Sequence, residues 1–252
     1  MKVEIWSDVV CPWCYVGKRR FEQALSAFPH ADQVEVVWRS FELDSQAPAE
    51  RTGDYATRLG EKYGCSVERA QEMIDTMTAA GAEDGLDLRF DRARVGSTFD
   101  AHRLLHWANE HWANEHGANE HEANEHEAKE QGTQGALKER LLRATFTEGE
   151  PIGDQATLVR LASEVGLDAG EAEEVLRSGR YAADVRADQE RARAYGISGV
   201  PFFVVDEKFG VSGAQPADVL RQVLEQAWAD RPVQLVTAGG SAPGCEGDTC
   251  SV

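Results

Sequence analysis

Residues 2–7 alternate Val3 and Ile5 with polar neighbours and are rich in strand formers, which predicts a strand of about six residues. The chain then passes through Asp8-Val9-Val10 into Cys11-Pro12-Trp13-Cys14. Proline suits the first helical position, since its fixed φ fits the helix and its missing N–H had no partner there anyway, so Cys11 is expected at the cap. Apolar residues at 15, 16, 21, 24, 25 and 28 predict a helix over 15–28, closed by Pro29, and the β-branched and aromatic run at 34–43 predicts a second strand. From 44 to about 195 the period becomes helical, with candidate helices at 54–63, 67–81, from 97 into a repeated tract, and at 135–146, 154–165, 169–176 and 184–195. Strands return at 201–205 and 209–211 around a turn at 206–208. A final helix at 216–229 carries Val219, Leu220, Val223, Leu224 and Trp228 on one face. Residues 237–252 are glycine-rich and short of core formers, and are expected to be mobile.

Residues 106–130 repeat a five-residue unit (HWANE, HWANE, HGANE, HEANE, HEAKE). On a helix each step of five advances about 500°, or about 140° net, so His106, His111, His116, His121 and His126 fan around the circumference. They form no ligand face, and His pairs at i,i+3 or i,i+4 are missing. The tract reads as a solvated helix or looped-out expansion.

The 252 residues carry 44 acidic and 26 basic side chains, a net charge of −18. A polyanion would be repelled and no Lys/Arg block relieves this, so nucleic acid and anionic membrane are poor partners. No apolar run reaches the roughly 18 residues of a membrane span. Acids at positions 4 and 8 interrupt what a secretory signal would keep apolar, which points to a cytoplasmic address. Five cysteines (11, 14, 65, 245, 250), odd in number and widely spaced, do not form a compact disulfide framework.

Dithiol exchange needs an attacking thiolate and a second thiol near enough to resolve the mixed disulfide. Cys11 and Cys14 supply that pair where a strand meets a helix. The helix N-terminus is expected to draw the Cys11 thiol below its free value of about 8.5, making Cys11 the nucleophile and the inward-facing Cys14 the resolver. CxxC is also a zinc knuckle, but the only second pair is Cys245-x₄-Cys250, more than 230 residues away, so no metal is expected. Cys65 reads as a small buried hydrophobe.

SDVVCPWCYVG at 7–17, SGVPFFVV at 198–205 and VSGAQP at 211–216 occur in an order that resembles the thioredoxin superfamily, and within it the FrnE-like cytoplasmic branch of the DsbA family. The resemblance implies an α/β thioredoxin fold with a large all-helical domain inserted between its halves. The core would be 1–44 and 186–232, the insertion 45–185 including the repeat, and the tail 233–252. It implies that Cys11 and Cys14 are the redox pair, that Pro201 is the cis-proline facing it, and that Pro12, Trp13 and Val200 contact substrate, Val200 through its backbone. It also suggests a second redox pair at Cys245 and Cys250. The strongly oxidising secreted member of the family has a histidine between its cysteines, and Trp13 in that place implies a less oxidising couple.

The expected activity is thiol:disulfide exchange, by reduction or isomerisation, on protein, peptide or small-molecule disulfides, glutathione among them, with no cofactor. The sequence leaves oligomeric state open. Two alternatives share the fold or the composition: a glutathione-dependent isomerase or transferase of the kappa-like class, and a non-enzymatic chaperone or interaction module.

Overall fold

A computed structural model describes residues 1–116 and 132–231, with side chains omitted for 112–116. Strand β1 (Lys2–Ser7) runs into helix α1 (Pro12–Ser26) and returns as β2 (Glu35–Ser40) parallel to β1, with Ile5 opposite Trp38. Helices α2 (Tyr55–Tyr63), α3 (Val67–Glu83), α4 (Phe99–His116), α5 (Gly132–Arg143), α6 (Gln155–Ser163), α7 (Ala169–Ser178) and α8 (Ala182–Ala194) follow. The chain then returns to the sheet as the hairpin β3 (Phe202–Val205) and β4 (Phe209–Ser212), and α9 (Ala217–Ala229) ends the described chain. The sheet order is β2-β1-β3-β4, with β3 antiparallel to β1. A βαβ half and a ββα half separated by helices make this a thioredoxin fold with a helical insertion.

Local chemistry sets the helix starts. Asp54, Ser66, Asp154 and Asp168 each accept a hydrogen bond from the backbone N–H three residues on, satisfying one of the donors a first turn leaves orphaned. Past α5 the chain widens into a π-helical turn, Ala144–Glu148, and Arg89 N–H donates to the carbonyl of Phe146 inside it. Gly149 then leaves that turn at φ +75°, where a Cβ would stand 2.6 Å from the Arg92 carbonyl oxygen.

Both faces of the sheet are covered. Val3, Ile5, Phe203 and Val205 pack against Phe21 and Leu25 of α1 and Leu220 and Leu224 of α9, and Phe21 stacks on Phe203 at 5.6 Å. On the opposite face Trp6 and Val204 meet Ala192 of α8 and Ile197. Alternation in β1 predicts a half-solvated strand, yet Glu4 is buried too, because Arg39 of β2 and Arg191 of α8 neutralise its carboxylate. A second core lies among α4, α5, α6 and α7, and a third joins α1 to α2 and α3.

The repeat departs from its expected solvated reading at its start. Trp107 and Ala108 of the first unit are buried in the α4 core, and His106 Nε2 stands 3.0 Å from Asp188 Oδ2 and 3.1 Å from Ser40 Oγ. Residues 117–131 lie outside the described chain.

Candidate active site

The bend from β1 into α1 presents the cysteines. Cys11 is the N-cap residue, with extended φ and ψ of −101° and 111°, and Pro12 holds the first helical position. Cys11 N–H donates to the Asp8 carbonyl at 3.3 Å and Cys14 N–H to the Cys11 carbonyl at 3.0 Å, so both thiols issue from one tight turn. Both are free, Cys14 fully buried and Cys11 keeping 5% of its surface. The nucleophile candidate is thus the more exposed residue of the pair, by a small margin.

Across from them the Val200–Pro201 peptide bond is cis. The Cys11 thiol donates to the Val200 carbonyl at 3.5 Å, and the Pro201 carbonyl accepts from Gly213 N–H at 2.8 Å. Among the described residues the Val200 N–H has no partner within the chain. Gly17 allows this approach of helix and loop, since a Cβ there would lie 2.8 Å from Pro201 Cγ. Arg20 braces the loop from the same helix, donating to the Ala214 carbonyl and to Asp84, both at 2.8 Å. Trp13 is half-buried against the core that joins α1 to α2 and α3, so it serves packing as well as any contact with substrate.

Behind the thiols lies a buried polar group. Asp8 Oδ2 accepts from Leu43 N–H at 2.7 Å, and Oδ1 faces His102 Nε2 of α4 at 3.4 Å, both side chains closed to solvent. Lys138 of α5 is fully buried, donates to the Ser7 carbonyl at 3.3 Å and lies 5.5 Å over the Trp38 ring. Burial pulls its ammonium down to about 8, opposed by the negative charge of Cys14, Asp8 and Cys11. Burial also pushes the Asp8 carboxyl up, but His102, Leu43 N–H and Lys138 together hold it below its ordinary value.

The two thiols share one charge. Burial pushes Cys14 up, yet hydrogen bonding from Cys11 and the Lys138 charge bring it below its ordinary value. That same bond with Cys14, then burial and the Cys14 charge, pushes Cys11 well above its own. The expectation that the helix N-terminus draws the Cys11 thiol below its free value is therefore corrected. Cys11 is the cap residue, but its side chain makes no capping hydrogen bond, and the positive charge of Lys138 acts to lower Cys14.

Cys11, Pro12, Trp13, Cys14, Val200 and Pro201 come together at one end of the sheet, whereas Cys245 and Cys250 lie outside the described residues. Cys65 is half-buried at the edge of the α2–α3 core, a correction to its reading as a buried hydrophobe. Among the described residues no cluster of three or more His, Cys, Asp or Glu is placed to hold a metal, and no helix is long and apolar enough to cross a membrane. Sequence reasoning missed Asp8, His102, Lys138 and Tyr55. The last has its hydroxyl raised by burial and then by the charge of Cys11. A lysine between Leu137 and Leu141 on an apolar helix face is the one signal that could have marked Lys138.

The chain is 46% identical to the probable DsbA oxidoreductase SCO1869 of Streptomyces coelicolor, over 96% of this chain and 97% of that one, at a TM-score of 0.79. It is 29% identical to the uncharacterized protein YwbO of Bacillus subtilis over 227 residues, 88% of this chain and 94% of the relative. The cytosolic disulfide reductase DsbM of Pseudomonas aeruginosa shares the fold at 17% identity, over 91% of this chain and 99% of that one, with a TM-score of 0.58; a second structure of it holds GSH. The DSBA-like thioredoxin domain profile matches residues 2–124 and 117–225, in agreement with the fold, and the chain belongs to the DSBA-like thioredoxin-domain family of oxidoreductases.

Proposed function

We propose that the protein is a cytoplasmic thiol:disulfide oxidoreductase that reduces or isomerises disulfides in proteins, peptides or small molecules through Cys11 and Cys14. The observation that carries this reading is a free thiol pair in one helical turn, with Cys11 3.5 Å from the carbonyl beside a cis-proline. Cys11 attacks one sulfur of the substrate disulfide, forming a mixed disulfide; the displaced thiolate takes the Cys11 proton. Cys14 as thiolate then attacks Cys11 sulfur, forming the Cys11–Cys14 disulfide and releasing the second substrate sulfur as thiolate, which is protonated. Two electrons pass from the dithiol to the substrate. The unpaired Val200 N–H can meet an extended chain, a contact that reads little sequence. Glutathione is the reductant that would return the pair to dithiol, in keeping with the GSH-bound state of DsbM.

Reduced protein is expected to reduce insulin disulfides. Cys11→Ser should abolish turnover, and Cys14→Ser should accumulate a mixed disulfide. Full turnover by the Cys11→Ser variant would overturn the assignment. Removing residues 237–252 tests whether Cys245 and Cys250 exchange with the pair, since a relay would slow recycling by glutathione when they are absent.

A further inference from the structure

Lys138 is a cation without exposure, carried on α5 and standing 124 residues after Cys14 in the sequence. Its one hydrogen bond among the described residues goes to a neutral carbonyl, Ser7 O at 3.3 Å, and its other neighbour is the face of Trp38. A buried ammonium in such company requires negative charge nearby. Asp8 provides part, but its carboxylate is also engaged by Leu43 N–H and faces His102 on its other oxygen. The charge of Lys18 of α1 opposes Lys138 least among its neighbours' influences, and that ammonium pairs with Glu22 and Glu139. The remaining negative charge within reach is that of Cys14 and Cys11.

This charge exists in only one redox state. With the pair reduced, one thiolate faces Lys138; once the Cys11–Cys14 disulfide closes, the sulfurs carry none. Resting on the exchange reaction proposed above, we infer that Lys138 carries the second of its two protons, standing as ammonium while Cys14 is thiolate and giving the proton up when the disulfide removes that charge. The balance closes without another reactant. Cys11 hands its proton to the first departing thiolate, Lys138 releases one as the second departs, and both substrate sulfurs leave as thiols. Re-reduction reverses the order, the amine regaining its proton as Cys14 becomes thiolate. Lys138 thus acts through Cys14, as a charge-compensating residue that never meets the substrate. Its position in the inserted helices, rather than in the sheet, ties the chemistry of the pair to the packing of α5.

The test uses the intact wild-type chain with isotope-labelled lysine, whose side-chain resonances are followed by NMR against pH in the reduced and oxidised forms. Lys138 is expected to titrate at about 8 when reduced and about one unit or more lower when oxidised, a tenfold change in its proton affinity. Identical titration in the two forms would overturn the inference. In a second arm Lys138→Met is equilibrated with glutathione. Losing the counter-charge destabilises the reduced form, so the equilibrium should move about tenfold toward the disulfide, equivalent to ~30 mV, with Lys138→Arg restoring it. An unchanged equilibrium in folded Lys138→Met also counts against it. Failure of the wild type to exchange with insulin would instead remove the proposed function, while the redox dependence of the lysine titration would still be read directly.

Discussion

At Gly17 the space available is smaller than one methyl group. An added Cβ would meet Pro201 Cγ at 2.8 Å and Ala214 Cβ at 3.6 Å, and neither is the free end of a flexible chain. Gly17→Ala gains up to about 1 kcal/mol of helix propensity, yet it must push the cis-proline loop away from Cys11. Stability should therefore change little while insulin reduction falls about tenfold or more, since misplacing a reacting group by an ångström costs up to ~10²-fold. Thermal melting and kcat/KM measured on the same sample separate the two effects. Asp8 makes a prediction of the opposite kind. Its carboxyl is held below its ordinary value despite burial, so the stability it contributes is present above the unfolded value of about 3.9 and is lost as pH falls through the lower folded value. Asp8→Asn should flatten that acid-side loss in urea titrations below about pH 4, and at pH 7 it should cost on the order of 3 kcal/mol, because Lys138 loses a compensating charge.

Between elements, one carboxylate fastens three of them. Asp188 of α8 accepts from Ser40 N–H of β2 at 2.8 Å and pairs with Arg39 at 3.2 Å and with His106 of α4 at 3.0 Å, while its carbonyl accepts the Trp6 indole N–H at 3.0 Å. On the same edge strand Gln134 of α5 exchanges two hydrogen bonds of 3.0 Å with the backbone of Trp38, imitating a neighbouring strand. Together they cover a sheet edge that would otherwise offer unpaired groups. Asp188→Ala leaves the buried Ser40 N–H without an acceptor and takes one of two carboxylates from half-buried Arg39, which keeps Glu4, and the expected cost is about 2 kcal/mol, read as a lower urea midpoint with an unchanged slope. The elements themselves were legible from periodicity and caps. The helices expected at 67–81 and 169–176 start at those residues, because Ser66 and Asp168 cap them, and run two residues further. Periodicity says nothing about which helix a polar residue meets. His106 therefore read as one member of a solvated repeat, when tertiary packing makes it a half-buried residue held beside Asp188.

Across the whole molecule the candidate site divides between what neighbours in sequence and what neighbours only in space. Cys11, Pro12 and Cys14 are adjacent along the chain, and their chemistry could be read from a four-residue motif. His102 and Lys138 stand 88 and 124 residues beyond Cys14, on helices whose apolar faces gave reason to fold but none to dock behind that thiol. Cys14 is fully buried, and His102 of α4 and Lys138 of α5 reach Asp8 and Ser7 of the segment that leads into the redox pair, so lifting these helices opens the polar group behind the thiols. Helical insertion and sheet should unfold as one cooperative unit, since separating them strands Lys138, Asp8 and Asp188 without their partners. In a denaturant series on the reduced protein, Cys14 labelling by a thiol reagent in the Cys11→Ser background should share its midpoint with the loss of helical circular dichroism. Labelling that precedes that loss by a clear interval of denaturant would mean that the helices lift from the sheet as a separate body, and that Lys138 meets the redox pair only part of the time.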